Sequence, residues 1–195
     1  LATMVNLWRE EWGQGTLPFY FAEIAPYEYG DNILGALLRE AQFKAQELIP
    51  SSGMISTNDL VEPFEARNIH PRNKTTVGKR LCYLALSRTY GVKGIVDQGP
   101  IYQSMEIKDG KAIIRFSNAP EGFSRMNGIE GFEVAGADKV FYPAVAEVDW
   151  NKHIIVSSDP VPQPVAVRYA FKNFQPGNLH NHREQPVFPF RTDNW

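Results

Sequence analysis

The fold is decided by residues 53–91, GMISTNDLVEPFEARNIHPRNKTTVGKRLCYLALSRTYG. The first five residues read as a short inner strand. A polar, irregular stretch follows over 58–73. From 74 the pattern changes: Val77, Leu81, Leu84 and Ala85 recur at i, i+4, i+7 and i+8. That spacing predicts a helix over 74–90, with Gly91 as the residue just beyond its end. Strand, loop and helix in this order make one step of an α/β layer.

Working upstream, LPFYFAEIA at 17–25 is a nearly continuous apolar run bounded by Gly15 and Pro26. It predicts a strand buried on both faces of a parallel sheet. Asp31 is placed to cap a helix running to about Leu48, with Ile33, Leu37, Leu38 and Ala41 facing the core and Pro50 ending it. At the start of the chain, Met4, Leu7, Trp8 and Trp12 recur at helical spacing. The chain begins with Leu, without a capping residue or a cleavable signal, and the expectation is a fragment.

Working downstream, the grammar becomes β after about Gly99. Two runs, 102–108 and 111–117, flank Asp109-Gly110, a type I′ hairpin signal. Further strands are predicted at 132–135, 140–148, 154–157 and 165–171, separated by turn residues. They predict a small antiparallel sandwich. The proline-rich end, 175–195, is too polar for a regular element and is expected to pack back through Phe188, Phe190 and Trp195. Three parts result: an α/β part over 1–98, a β-sandwich over 99–174 and a C-terminal extension over 175–195.

Composition narrows the function classes. There are 195 residues, 20 basic and 22 acidic side chains, a formal charge of −2 and 43% hydrophobic residues. This is globular composition, with no broad electrostatic reason to bind nucleic acid. No apolar run approaches the roughly 20 residues that span a bilayer. Cys82 is the single cysteine, so no intrachain disulfide and no cysteine-based zinc cage can form. It falls on the apolar side of the 74–90 helix and is expected to be a buried structural thiol.

The candidate chemistry centres on His70. It lies in Arg67-Asn68-Ile69-His70-Pro71, between a strand and a helix, and Pro71 biases its backbone to an extended form. Loops at strand ends of α/β folds collect catalytic side chains. A histidine base needs an orienting partner. Asp59, directly after the strand, is the first choice, and a backbone carbonyl near Asn68 is an alternative. Glu62 and Glu65 read as solvated loop residues. His153 falls in a turn. His180 and His182 form an H-x-H pair that needs a third ligand such as Asp193 to bind metal. Arg67, Arg72, Lys74, Lys79 and Arg80 cluster near His70 and read first as a solvated face, second as an anion site. No serine lies in G-x-S-x-G, and Ser51 and Ser52 precede a strand where a nucleophile would follow one. There is no P-loop and no G-x-G-x-x-G.

Several stretches together resemble the sialate O-acetylesterases, carbohydrate esterases of the SGNH-hydrolase type. They are LPFYFAEIAPYEYGD (17–31), LREAQ (38–42), the 53–91 segment, GPIYQSM (99–105), GFEVAGADKVFYPAVAEV (131–148), PVAVRYAF (164–171) and PFRTDNW (189–195). The resemblance implies a flavodoxin-like α/β core, of which this chain holds the C-terminal part, followed by a β-sandwich. It implies hydrolysis of O-acetyl esters of sialic acid or related sugars by serine attack. His70 matches the family's general-base histidine, and Asp59 occupies the matching acidic position of M-x-x-T-x-D. It implies no cofactor, and a secreted, periplasmic or lysosomal setting. The family's Gly-Gln-Ser-Asn nucleophile segment and later Gly-Glu-Ser-Asn segment have no counterpart here. The expectation is therefore a portion inactive alone, prone to self-association or to joining its missing N-terminal portion. The alternative is a non-catalytic carbohydrate-binding or scaffolding module, with Tyr102, Tyr142 or Trp150 as sugar platforms.

Overall fold

The computed structural model describes residues 1–30, 32–124 and 127–195. Helix α1 (Ala2–Trp12) leads into strand β1 (Phe19–Ala22), helix α2 (Leu34–Leu48), strand β2 (Ser52–Ile55) and helix α3 (Lys74–Leu84). β1 and β2 pair in parallel, Phe19 opposite Ser52 and Ala22 opposite Ile55. α3 packs on this pair, with Leu84 fully buried against Gly53, where an added Cβ would lie 2.9 Å from a Leu84 methyl. The expected cap Asp31 lies outside the described residues. Asn32 Oδ1 accepts the Leu34 N–H at 3.0 Å.

Four expectations for this part are corrected. β1 is half-buried along its length, because only one strand pairs with it and the two-stranded sheet leaves it an edge. α2 turns a different face inward: Gly35, Ala36 and Arg39 are buried, whereas Leu38 is 46% exposed and Ala41 is exposed. The reason is that polar side chains of α2 serve loop backbone. Gln42 Oε1 accepts the Ile24 N–H and Gln46 Oε1 the Met54 N–H, both at 2.8 Å, while Arg39 donates to the Lys172 and Asn173 carbonyls. Finally, the 74–90 helix widens into a π-turn over Ala85–Thr89, closed by Tyr90 N–H to the Ala85 carbonyl. Gly91 then ends it at φ 66° as expected. Cys82 is exposed, contrary to the expectation of a buried thiol.

The second part holds two four-stranded antiparallel sheets. One has the order β3 (Ile101–Lys108), β4 (Lys111–Ser117), β8 (Ile154–Ser157), β7 (Val145–Val148). The other runs β10 (Phe190–Arg191), β9 (Ala166–Tyr169), β5 (Phe132–Ala135), β6 (Phe141–Pro143). Ala112, Ile114, Ile154 and Val156 of the first share one core with Phe132, Val134, Val167 and Tyr169 of the second. The hairpin turn forms at Asp109-Gly110 with φ of 50° and 70°. The expected single strand at 140–148 divides between the sheets. Pro143, which has no N–H for a ladder, ends β6, and β7 begins two residues later in the other sheet. The C-terminal extension supplies one regular element after all, β10, and buries Phe188 and Phe190, whereas Trp195 stays 40% exposed. No helix among the described residues is long and apolar enough to cross a membrane.

Candidate functional site

Because β1 and β2 are parallel, their carboxyl ends deliver Glu23 and the segment Ser56–Asp59 to one edge of the sheet. Glu23 is buried, and its Oε1 accepts from Ser56 Oγ (2.5 Å), Thr57 N–H (2.8 Å) and Asn58 N–H (3.0 Å). Burial pushes its carboxyl above the ordinary range, more than Arg39 and these donors pull it down. Glu23 Oε2 and Arg39 Nε have no partner among the described residues, although both are buried.

Asp59 sits at the centre of a second buried cluster. Arg80 grips it with two hydrogen bonds, 2.7 Å to Oδ1 and 2.6 Å to Oδ2, and also donates to the Ser56 carbonyl. His180, from the C-terminal extension, places Nε2 2.8 Å from Asp59 Oδ2. Burial raises the Asp59 carboxyl, but Arg80 and His180 together outweigh it and hold the group below the usual carboxylate range. The other ring nitrogen of His180 faces the Asn178 carbonyl at 3.0 Å. Both ring nitrogens of His180 therefore face protein oxygens, one a carboxylate and one a backbone carbonyl.

His70 is elsewhere. It is exposed, and its ring has no hydrogen-bond partner among the described residues. Asp59 is committed to Arg80 and His180 and does not meet His70. The loop that carries His70 is nevertheless firmly held. Its backbone N–H donates to Asn68 Oδ1 at 3.0 Å, and Asn68 N–H donates to the Glu65 carbonyl at 2.7 Å. Glu65 Oε2 accepts from Glu62 N–H at 3.1 Å and Oε1 from Arg72 N–H at 2.9 Å. Asn73 caps α3 by accepting from Thr76 N–H, and Pro71 is buried. On the other side Glu28 takes an ion pair from Arg67, and its N–H reaches the Ala66 carbonyl.

Other candidates fall into place as structure. Glu65 is buried rather than solvated, and Arg80 is a buried ion-pair partner rather than part of a solvated or anion-binding face. His153 is held by Asp149 within its turn. Asp193 takes a two-pronged bond from Arg168, so it does not join His180 and the exposed His182. Sequence reasoning missed Glu23, and it read Glu65 as solvated and His180 only as one of an H-x-H pair, without their burial or partner. For Glu65 a signal existed, the E-x-x-E spacing of Glu62 and Glu65 around Pro63, which suits a capped turn. For His180, 121 residues from Asp59, none did.

A parallel α/β unit with its polar groups gathered at the strand ends, joined to an antiparallel double sheet, defines a mixed α/β protein with a strand-end site. No protein-family model matches this chain, and no curated protein does. Among solved structures it is similar to a carbohydrate acetylesterase from Xanthomonas citri, at 38% identity and a TM-score of 0.86. The likeness covers 100% of this chain and 45% of that one, so the chain spans under half the length of its structural neighbour.

Proposed function

We propose that this chain is the base-bearing portion of a carbohydrate ester hydrolase that removes O-acetyl groups from sialic acid or related sugars. Residues 1–98 are read as part of a flavodoxin-like SGNH core, 99–174 as its sandwich and 175–195 as an extension packing back on both. The observation that carries the reading is the His70 ring, exposed on a clamped loop and without a hydrogen-bond partner among the described residues, in a chain whose full length aligns with a carbohydrate acetylesterase. In this reading His70 takes the proton of an attacking serine hydroxyl as the acetyl carbonyl is attacked. It returns that proton to the departing sugar alcohol, and water then releases acetate from the acyl-enzyme by the same route. The serine and the oxyanion donors come from outside these residues. Asp59 stays in the reading as a buried anion that fixes the strand end, and the His70 ring meets no orienting group among the described residues.

The test is hydrolysis of p-nitrophenyl acetate and O-acetylated sialosides by this chain and by the natural full-length protein. His70→Ala in the latter is expected to lower turnover roughly 10²–10⁴-fold. Unchanged turnover overturns the role of His70, and robust His70-dependent turnover by the isolated chain overturns the missing nucleophile.

One observation favours a second reading, a carbohydrate-binding module. Trp150 is 99% exposed at the tip of the β7–β8 turn, which Asp149 holds through His153 and Lys152 backbone bonds. Tyr102 and Tyr142 are partly buried and pack against the core, so they offer less open ring than Trp150. Saturable sugar binding by this chain that is lost in Trp150→Ala supports this reading, and its absence removes it.

A further inference from the structure

We propose that Glu65 is the positioning residue of His70, holding both ends of the histidine loop with one carboxylate. The inference rests on the reading of His70 as a base. A buried carboxylate is costly unless its oxygens are satisfied, and the usual satisfier is a cation. Glu65 is 2% exposed, yet no ion-pair partner reaches it among the described residues. Its oxygens go instead to two backbone N–H groups that bracket the loop, Glu62 before His70 and Arg72 after it. Its own carbonyl accepts from Asn68, whose side chain in turn accepts the His70 N–H. Two hydrogen bonds therefore separate Glu65 from the His70 backbone, and Pro71 restricts the same backbone from the other side. The exposed ring makes no hydrogen bond of its own among the described residues, so this scaffold sets the backbone from which it projects. Preorganisation of this kind is what a proton-transferring group requires.

Glu65→Gln is nearly isosteric but leaves one acceptor oxygen where two are used, and turns a donor NH₂ towards a donor N–H. In this chain, amide hydrogen exchange measured by NMR is expected to lose at least tenfold protection at Arg72 or Glu62. The sandwich-core amides stay unchanged, and so does Glu28→Gln, which cuts only the surface pair with Arg67. Glu65→Asp, which keeps the charge but shortens the reach, is expected to lose protection at one of the two amides; it serves if the Gln variant does not fold. Unaltered exchange at both amides overturns the clamp. In the natural full-length protein Glu65→Gln is expected to lower kcat for acetyl-ester hydrolysis about tenfold or more, with KM within about twofold. If Glu65 acts through His70, the same change made on top of His70→Ala costs nothing further. An equal, additive fall in that background reduces Glu65 to general stability and overturns the proposal. If His70→Ala alone leaves turnover intact, the base reading fails, and the exchange data still decide the clamp.

Discussion

Asp59 and Glu23 follow adjacent parallel strands, yet their environments push their carboxyls in opposite directions. Burial opposes ionisation of both, but Asp59 is gripped by Arg80 and His180, whereas one Glu23 oxygen has no donor among the described residues. The consequences for stability have opposite signs. The contribution of Asp59 is complete above the unfolded aspartate value of about 3.9 and is lost as pH falls through its lower folded value. That of Glu23 is complete below about 4.3 and is lost as pH rises through its raised folded value. Replacing Asp59 by Asn strands a guanidinium that is 5% exposed, and breaking a buried pair from one side costs about 3–5 kcal/mol. Chemical denaturation of Asp59→Asn at neutral pH is expected to show a loss of this order. Its acid limb should also lack the slope of the wild type below about pH 4. An unchanged midpoint at both pH values would show that the grip on Asp59 contributes nothing.

At the scale of elements, α2 shows how a helix can hide from its own periodicity. Of the stripe the amphipathic reading points inward, Ile33 and Leu37 are half-buried, Leu38 is 46% exposed and Ala41 is exposed, and Leu34 and Leu48 beside it are 64% and 71% exposed. The inner face is decided by Arg39, Gln42 and Gln46, which satisfy backbone groups that the two-stranded sheet and its loops cannot satisfy themselves. An apolar moment measures transfer from water and is blind to this service. Gln42→Leu improves the apolar pattern but leaves the Ile24 N–H without its acceptor. The expected result is a loss of about 1–3 kcal/mol, read from thermal or denaturant unfolding. Stabilisation instead would restore the simple amphipathic account of α2.

At the scale of the whole molecule, the α/β part and the double sheet are joined by polar ties more than by a shared apolar core. Arg191 grips Glu40 of α2 at 3.0 and 3.1 Å, Asn173 Oδ1 accepts the Gly35 N–H, and His180 reaches Asp59. Apolar surface is left open on Leu7, Trp8 and Trp12 of α1, which recur at helical spacing, and on Leu34, Leu38 and Leu48 of α2. Exposed apolar stripes together with an edge strand favour association. Light scattering over a concentration series is expected to show the apparent mass of this chain rising with concentration. A constant monomer mass would contradict it.

Local signals determined much of this molecule. Asp109-Gly110 specified its hairpin, Gly91 the end of α3's extension, and the alternation of strand and helix before Gly99 the parallel pair, because turn geometry and side-chain periodicity act over a few residues. Pro71 and the flanking helix likewise marked the His70 loop. What partnered what was decided only in three dimensions. Asp59 chose Arg80 and His180 over His70, Glu65 left solvent to bind two amides, and 140–148 divided between sheets. For Asp59 and Glu65 the physical reason is that a buried polar group takes the donor that folding brings nearest, which for Asp59 includes one more than a hundred residues away. For 140–148 it is that Pro143 cannot donate to a ladder.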